Sequence, residues 1–280
     1  MKRVILSLNY DQEHLNVFTL RHEVNSESPW IVILPGLDDS ILYYSNLFDR
    51  IKEELPNWNI LAIDLKGQGE TLKENGKVRE LKVPIAKQAS LVKQALDQEN
   101  IQKCFVIGLS YAATVSLKTA IDCHDRVIGL GLIAPYVTNF KSYKKGLYGL
   151  YYHALSKHPA KKLIAMMGLP IYFSLAKFEN RLNRNTLWDD VKLAALRKLT
   201  MGVLDFDTTK ELKHIHQIEK GVHLLCGFDD SVIPITAHKN FYHEIPAGIE
   251  KTFSLEEGVG HRIFEEHPDV ASHWIAKIVS

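Results

Sequence analysis

The feature that most constrains the fold is a rhythm. Short apolar runs, each long enough for one strand, alternate with stretches whose apolar residues recur at helical spacing. Trp30–Leu34 is such a run and stops at Pro35-Gly36. A run without polar alternation reads as a strand buried on both faces. Ser40–Leu55 follows as a helix, with Ser40 as N-cap and Ile41, Tyr44, Leu47, Phe48, Ile51 and Leu55 along one face. The rhythm continues through strand Asn59–Asp64, helix Ile85–Gln98 behind Pro84, strand Lys103–Gly108, helix Ala112–Asp122 and strand Val127–Ile133. Val4–Leu8 and Leu15–Leu20 ahead of it read as two antiparallel strands.

Strands alternating with helices imply an α/β fold, a mostly parallel central sheet with helices on both faces. Right-handed crossovers place the loops after each strand along one edge, where such sheets bind ligands. The rhythm breaks after Pro135. Residues 136–217 show helical stretches, among them Thr186–Thr200 with its stripe of Val191, Ala195, Leu196 and Leu199, but no clear strand. It resumes with strand Val222–Cys226, helix Ile235–Glu244, strand Lys251–Leu255 and helix Pro268–Val279. The expected organisation is a core domain of residues 1–135 and 218–280, interrupted by a helical cap over 136–217. An insertion of that size far exceeds an ordinary connection.

Composition excludes several classes. Of 280 residues, 46% are hydrophobic and 24% charged, as in ordinary globular domains, and the net charge of +1 makes no whole-chain case for nucleic acid. The apolar stretch Val4–Leu8 is shorter than a secretory core of ~7–15 residues, and no window approaches the ~20 of a membrane span. Cys104, Cys123 and Cys226 lie in apolar runs without CxxC spacing and read as reduced and buried. A cytoplasmic location is the expectation.

The strongest chemical signal is Gly108-Leu109-Ser110-Tyr111-Ala112, between the strand CFVIG and the helix AATVSLKTA. A serine on a tight strand-to-helix turn is exposed at the sheet edge and held where its oxygen can attack. The helix beneath adds backbone N–H groups and positive dipole. A serine hydroxyl needs a base, and the base an orienting group. Gly227-Phe228-Asp229-Asp230 follows one later strand and Gly260-His261 another, so the chain order is Ser, Asp, His. Either Asp229 or Asp230 satisfies that order.

With these residues in view, the chain resembles α/β-hydrolase fold proteins of the serine esterase type with a helical cap. The motifs that carry the likeness run from Trp30 to Pro268: PGL at Pro35–Leu37, DLKGQGET at Asp64–Thr71, GLSYA, GFDDSVIP at Gly227–Pro234 and GHRIFEEHP at Gly260–Pro268. The resemblance implies Ser110 as nucleophile, His261 as base and Asp230, selected over Asp229 by its spacing to Pro234, as orienting acid. It implies an oxyanion hole from the backbone N–H groups of Leu37 and Tyr111, and no metal or cofactor. Two positions depart from the family pattern: Pro35 stands where histidine is frequent, and Ala112 where the second glycine of the elbow is usual. Serine at 110 argues against the dehalogenase and epoxide hydrolase branches, which attack through a carboxylate. Small carboxylesterases fit this build, and one branch demethylates pimeloyl carrier protein.

Other signals read as structural. Asp64 is expected to shape a turn, and Asp38 or Asp39 to cap the helix at Ser40. His214-Ile-His216 lacks further ligands at zinc spacing. The Lys66–Gly69 glycines lack the lysine-serine ending of a P-loop and are not expected to open a helix.

Within 136–184, nine Lys/Arg stand against one acid, Glu179, a net +8 that leaves −7 for the rest of the chain. Nine aromatics share the segment, and Tyr136, Tyr143 and Phe173 are its candidates for lining an acyl pocket. The basic residues fit a solvated helix face, an anionic acyl carrier such as an acidic carrier protein or coenzyme A thioester, or an anionic membrane surface. The functional expectation is a serine carboxylic ester hydrolase acting through an acyl-enzyme. A thioesterase or acyltransferase is the alternative, and a non-catalytic small-ligand receptor the second.

Overall fold

The computed structural model describes residues 1–11, 13–137, 189–215 and 218–280. Strands β1 (Lys2–Tyr10) and β2 (Glu13–His22) form the antiparallel hairpin. Then come β3 (Trp30–Leu34), α1 (Ser45–Glu54), β4 (Asn59–Ile63), α2 (Gly69–Asn75), α3 (Ile85–Gln98), β5 (Cys104–Leu109), α4 (Tyr111–Asp122) and β6 (Val127–Ile133). After the undescribed stretch follow α5 (Asp190–Leu204), α6 (Thr208–Leu212), β7 (Val222–Gly227), α7 (Ile235–Glu244), β8 (Lys251–Glu256), α8 (Ile263–Glu266) and α9 (Pro268–Val279). The eight strands form one sheet in the order β1-β2-β4-β3-β5-β6-β7-β8. The pairs β1/β2 and β2/β4 are antiparallel and the remainder parallel, as the alternation requires.

The period of two along each strand builds two cores. Val32 and Leu34 of β3, Leu61 and Ile63 of β4 and Val106 of β5 join the face covered by α3 and α4. Ile31, Ile33, Ile60, Ala62, Phe105 and Ile107 join the opposite face, covered by α1 and α9. All residues of β3, β4 and β5 are therefore buried, and an apolar run without alternation is the sequence of such a strand. Each fully buried Leu or Ile contributes about 1.5–3 kcal/mol relative to exposure.

Several boundaries differ from the sequence reading. The helix after Ser40 begins as a 3-10 turn, Ile41–Tyr44, and Ser40 caps it by accepting the Leu42 amide at 3.3 Å. Asp39 is no cap: its carboxylate accepts the Tyr44 hydroxyl at 2.5 Å. Asp38 precedes it in the loop with φ 62°. The helix expected at Thr186–Thr200 runs from the Asp189 cap to Leu204, and Val191 is exposed rather than part of the buried stripe. Gly69 does open a helix, α2. The reason lies in Asp64, whose buried Oδ2 takes the Glu70 amide at 2.8 Å, so the protein's own carboxylate occupies the anion site at that helix start. A Cβ at Gly69, where φ is 46°, would collide with that carboxylate.

Asp64 also accepts the Ser40 hydroxyl at 2.9 Å and the Ile41 amide at 2.8 Å. It thus clasps the loop after β3 to the loop after β4. Burial pushes its carboxyl up to about 6, against the pull of these donors. Between about pH 4 and 6 the folded chain then holds a proton that the unfolded chain has released. The folded state binds more protons over that window, so stability falls as pH rises through it, by at most about 1.4 kcal/mol per unit. Asp64→Asn removes this slope. Urea unfolding at pH 4.5 and 6.5 is expected to show wild type losing about 2 kcal/mol relative to the variant; an unchanged difference means Asp64 stays ionised throughout.

Candidate active site

β5 and α4 are joined without a connecting loop. The backbones pass so closely that a Cβ at Gly108 would collide with the Ala112 carbonyl and the Ser116 hydroxyl. Ala112, by contrast, sits fully buried at the elbow, and its methyl is accommodated there. Ser110 takes φ 54° and ψ −112°, a conformation that costs a non-glycine residue about 1–3 kcal/mol. Its amide donates to the Ile133 carbonyl at 2.8 Å and its carbonyl accepts the Tyr136 amide at 3.2 Å, which ties the strained residue to the end of β6.

Three side chains meet there from three strand ends. His261, after β8, places Nε2 2.9 Å from Ser110 Oγ and Nδ1 2.8 Å from Asp230 Oδ2. An ionised carboxylate only accepts, so Nδ1 carries the proton and Nε2 presents its lone pair to the serine hydroxyl. Asp230, after β7, also accepts the Val232 and Ile233 amides on Oδ1 at 2.8 and 2.9 Å. Burial pushes its carboxyl up, but the imidazoles of His238 and His261 and the Ile233 amide outweigh that. They hold it well below the usual carboxylate range. Asp229 is exposed, and its amide donates to the Val259 carbonyl at 3.0 Å.

Leu37 is half-buried on the loop after β3, and Tyr111 is buried at the start of α4. Both positions are held by glutamines that the sequence reading did not single out. Gln68 donates its amide to the Gly36 carbonyl, one residue before Leu37. Gln88 donates to the Tyr111 hydroxyl at 3.2 Å and exchanges two bonds with the Lys66 backbone. A third residue missed from sequence is His238, fully buried beside Asp230. A buried polar residue inside an amphipathic pattern carries no signal until its neighbours are known.

Tyr136 reaches the elbow through its backbone, its carbonyl accepting the Thr114 hydroxyl at 3.2 Å. Tyr143 and Phe173 lie outside the described residues, as do most of the basic segment and His216; His214 is exposed. A polar cleft lined by Asp38, Tyr43, Gln68, Lys192, Arg262 and Glu265 flanks the loops of Leu37 and His261. The three cysteines are buried and free, and burial pushes Cys104 and Cys123 up to about 12 and about 11, so neither offers a thiolate near neutrality.

The family model Hydrolase_4, described as serine aminopeptidase, S33, matches residues 26–268. No curated protein sequence matches. Solved structures with a similar fold include a thermophilic esterase from Thermogutta terrifontis, at 17% identity and TM-score 0.75 over 100% of both chains. MGS-M2, an α/β-hydrolase enzyme from a Medee basin deep-sea metagenome library, aligns at 16% identity and TM-score 0.74 over 99% of this chain and 97% of its own. The enol-lactonase from Burkholderia xenovorans LB400 aligns at 14% and 0.71 over 95% and 96%. Among the described residues no helix is long and apolar enough to cross a membrane.

The strain at Ser110 has a measurable sign. Glycine is normally about 1 kcal/mol worse than alanine in ordered structure. At this backbone angle the order is expected to invert, with Ser110→Gly more stable than Ser110→Ala by about 1–2 kcal/mol in thermal unfolding. Equal stabilities, or the usual order, would show that the turn is unstrained.

Proposed function

The chain belongs to the serine aminopeptidase S33 family of the α/β-hydrolase fold, and from that premise we propose that it hydrolyses carboxylic esters of acyl chains through an acyl-enzyme. One observation carries the reading: the unbroken hydrogen-bond chain from Ser110 through His261 to Asp230 at the strand ends of the sheet. Ser110 Oγ attacks the carbonyl carbon while His261 Nε2 takes its proton. The carbonyl oxygen becomes an anion held by the Leu37 and Tyr111 amides, each worth about 2.7–4 kcal/mol of transition-state stabilisation in such holes. Collapse breaks the bond to the leaving alcohol, which receives the proton from His261. Water then repeats the sequence on the acyl-enzyme and frees Ser110. Asp230 keeps the proton on Nδ1 and stabilises the imidazolium, without accepting the proton itself.

The names of the similar structures, a thermophilic esterase and an enol-lactonase, agree with an ester substrate. The family description names an aminopeptidase, which favours a second reading in which an amide is cleaved and His261 protonates an amine. A thioester is open to the same attack, with a thiol leaving. The nine aromatics within residues 136–184 make that segment the sequence's candidate for binding an acyl chain. The +8 charge of that segment supports delivery of the acyl group on an anionic carrier.

Intact-protein mass spectrometry after a fluorophosphonate is expected to show one adduct on wild type, none on Ser110→Ala and far slower labelling of His261→Ala. No adduct on wild type would favour the receptor reading. On a panel of p-nitrophenyl esters, acyl thioesters and amino-acid anilides, the ester is expected to turn over fastest, with Asp230→Asn reducing kcat by about 10⁴-fold. Charge reversal at Lys144, Lys145, Lys161 and Lys162 is expected to raise KM for an acyl-carrier-protein ester while sparing p-nitrophenyl acetate. Equal effects on both substrates would sink the carrier.

A further inference from the structure

A second histidine stands behind the carboxylate of the triad. His238 lies on α7, one turn past its Pro234 cap, and its side chain is fully buried. Its Nε2 is 3.7 Å from Asp230 Oδ2, the oxygen that also binds His261. Among the described residues neither His238 nitrogen has a hydrogen-bond partner. Buried polar groups are seldom left so, and a phenylalanine or leucine would fill the same space without that cost.

The acceptor count explains the placement. A carboxylate offers about four lone-pair sites. The Val232 and Ile233 amides take two on Oδ1, and His261 Nδ1–H takes one on Oδ2. The remaining site on Oδ2 faces His238, and a movement of about 0.8 Å closes the gap to an ordinary hydrogen bond. Among the described residues, the titratable side chains beside Asp230 are His238, His261 and Cys226. Of these, burial keeps the Cys226 thiol protonated, and the two imidazoles are the rings close enough to Oδ2 to serve it as donors.

We propose that His238 is a positioning residue of this site: neutral, with its proton on Nε2, it donates to Asp230 Oδ2 and holds the carboxylate in the plane that orients His261. The proposal rests on the triad reading above. With four donors the carboxylate is weakly basic, so the proton on His261 Nδ1 stays on the ring when Nε2 takes up the serine proton. Loss of the fourth donor makes Asp230 more basic and strengthens its hold on the His261 imidazolium, which weakens His261 as a base at acid pH.

The first test needs no variant. In wild type labelled with ¹⁵N-histidine, nitrogen–proton correlation spectra should show His238 as the neutral Nε2–H tautomer with a slowly exchanging proton. A proton on Nδ1, or rapid exchange, overturns the proposal. The second test follows the rate of fluorophosphonate labelling against pH in wild type, His238→Phe and His238→Gln. The acid limb is expected to move to higher pH by about 0.5–1 unit in His238→Phe and to return in His238→Gln, whose amide restores a donor. One shared acid limb overturns the proposal, whatever the variants do to stability, because packing alone would not move it. If wild type takes no label, the hydrolase reading fails by itself, and the tautomer of His238 still decides the inference.

Discussion

A hydroxyl can wait at the end of a buried strand only if the chain turns into its next helix almost without a loop. That geometry depends on the contact between residues 108 and 112, where β5 and α4 come too close for a Cβ at Gly108. The same contact forces Ser110 into a backbone region that L-residues avoid. The strain is held by the bonds from Ser110 to Ile133 and Tyr136, because the neighbouring strand end over-determines the turn. Every other group of the site is placed relative to this turn. The loops of Leu37, Asp230 and His261 reach it because parallel strands all end on one edge.

Precision at that edge comes from polar side chains sunk into the loops. Asp64 ties the segment after β3 to the start of α2 through three donors, and Gln68 reaches back to the Gly36 carbonyl. Gln88 joins Tyr111 to the loop of Lys66. Each is almost wholly buried, where an unmatched polar group is expensive, so each bond admits one arrangement and excludes its neighbours. The motif DLKGQG is therefore a clasp. Its carboxylate fills the helix start that in other folds receives a phosphate. The two imidazoles around Asp230 repeat this logic at the chemical centre, where one carboxylate is surrounded by donors until its orientation is set.

Much of this was legible in the residues. The apolar runs announced strands buried on both faces, and helix Ile85–Gln98 lies where its periodicity and Pro84 put it. Ser110 and His261 could be picked out because each sits just past a strand, in a short motif with its own glycine, whereas Asp230 was separated from Asp229 only by the family resemblance. The failures have physical causes. Helix ends followed caps rather than apolar stripes, as Asp189 shows by starting α5 after Thr186. Asp39 looks like a cap but serves Tyr44, since a carboxylate bonds to whichever donor the fold brings nearest. Gln68, between two glycines, and His238, beside Lys239, look like ordinary polar residues of a turn and a helix face.

By itself the sequence determined the class of fold, the order of the eight strands, and Ser110 and His261 at one edge, because periodicity and turn chemistry are local. Only the tertiary structure decided which aspartate is buried, which ring nitrogen faces the serine and which distant side chains hold the loops. Those choices rest on contacts between residues 22 to 151 positions apart, and such contacts exist only once the sheet has brought the strand ends together.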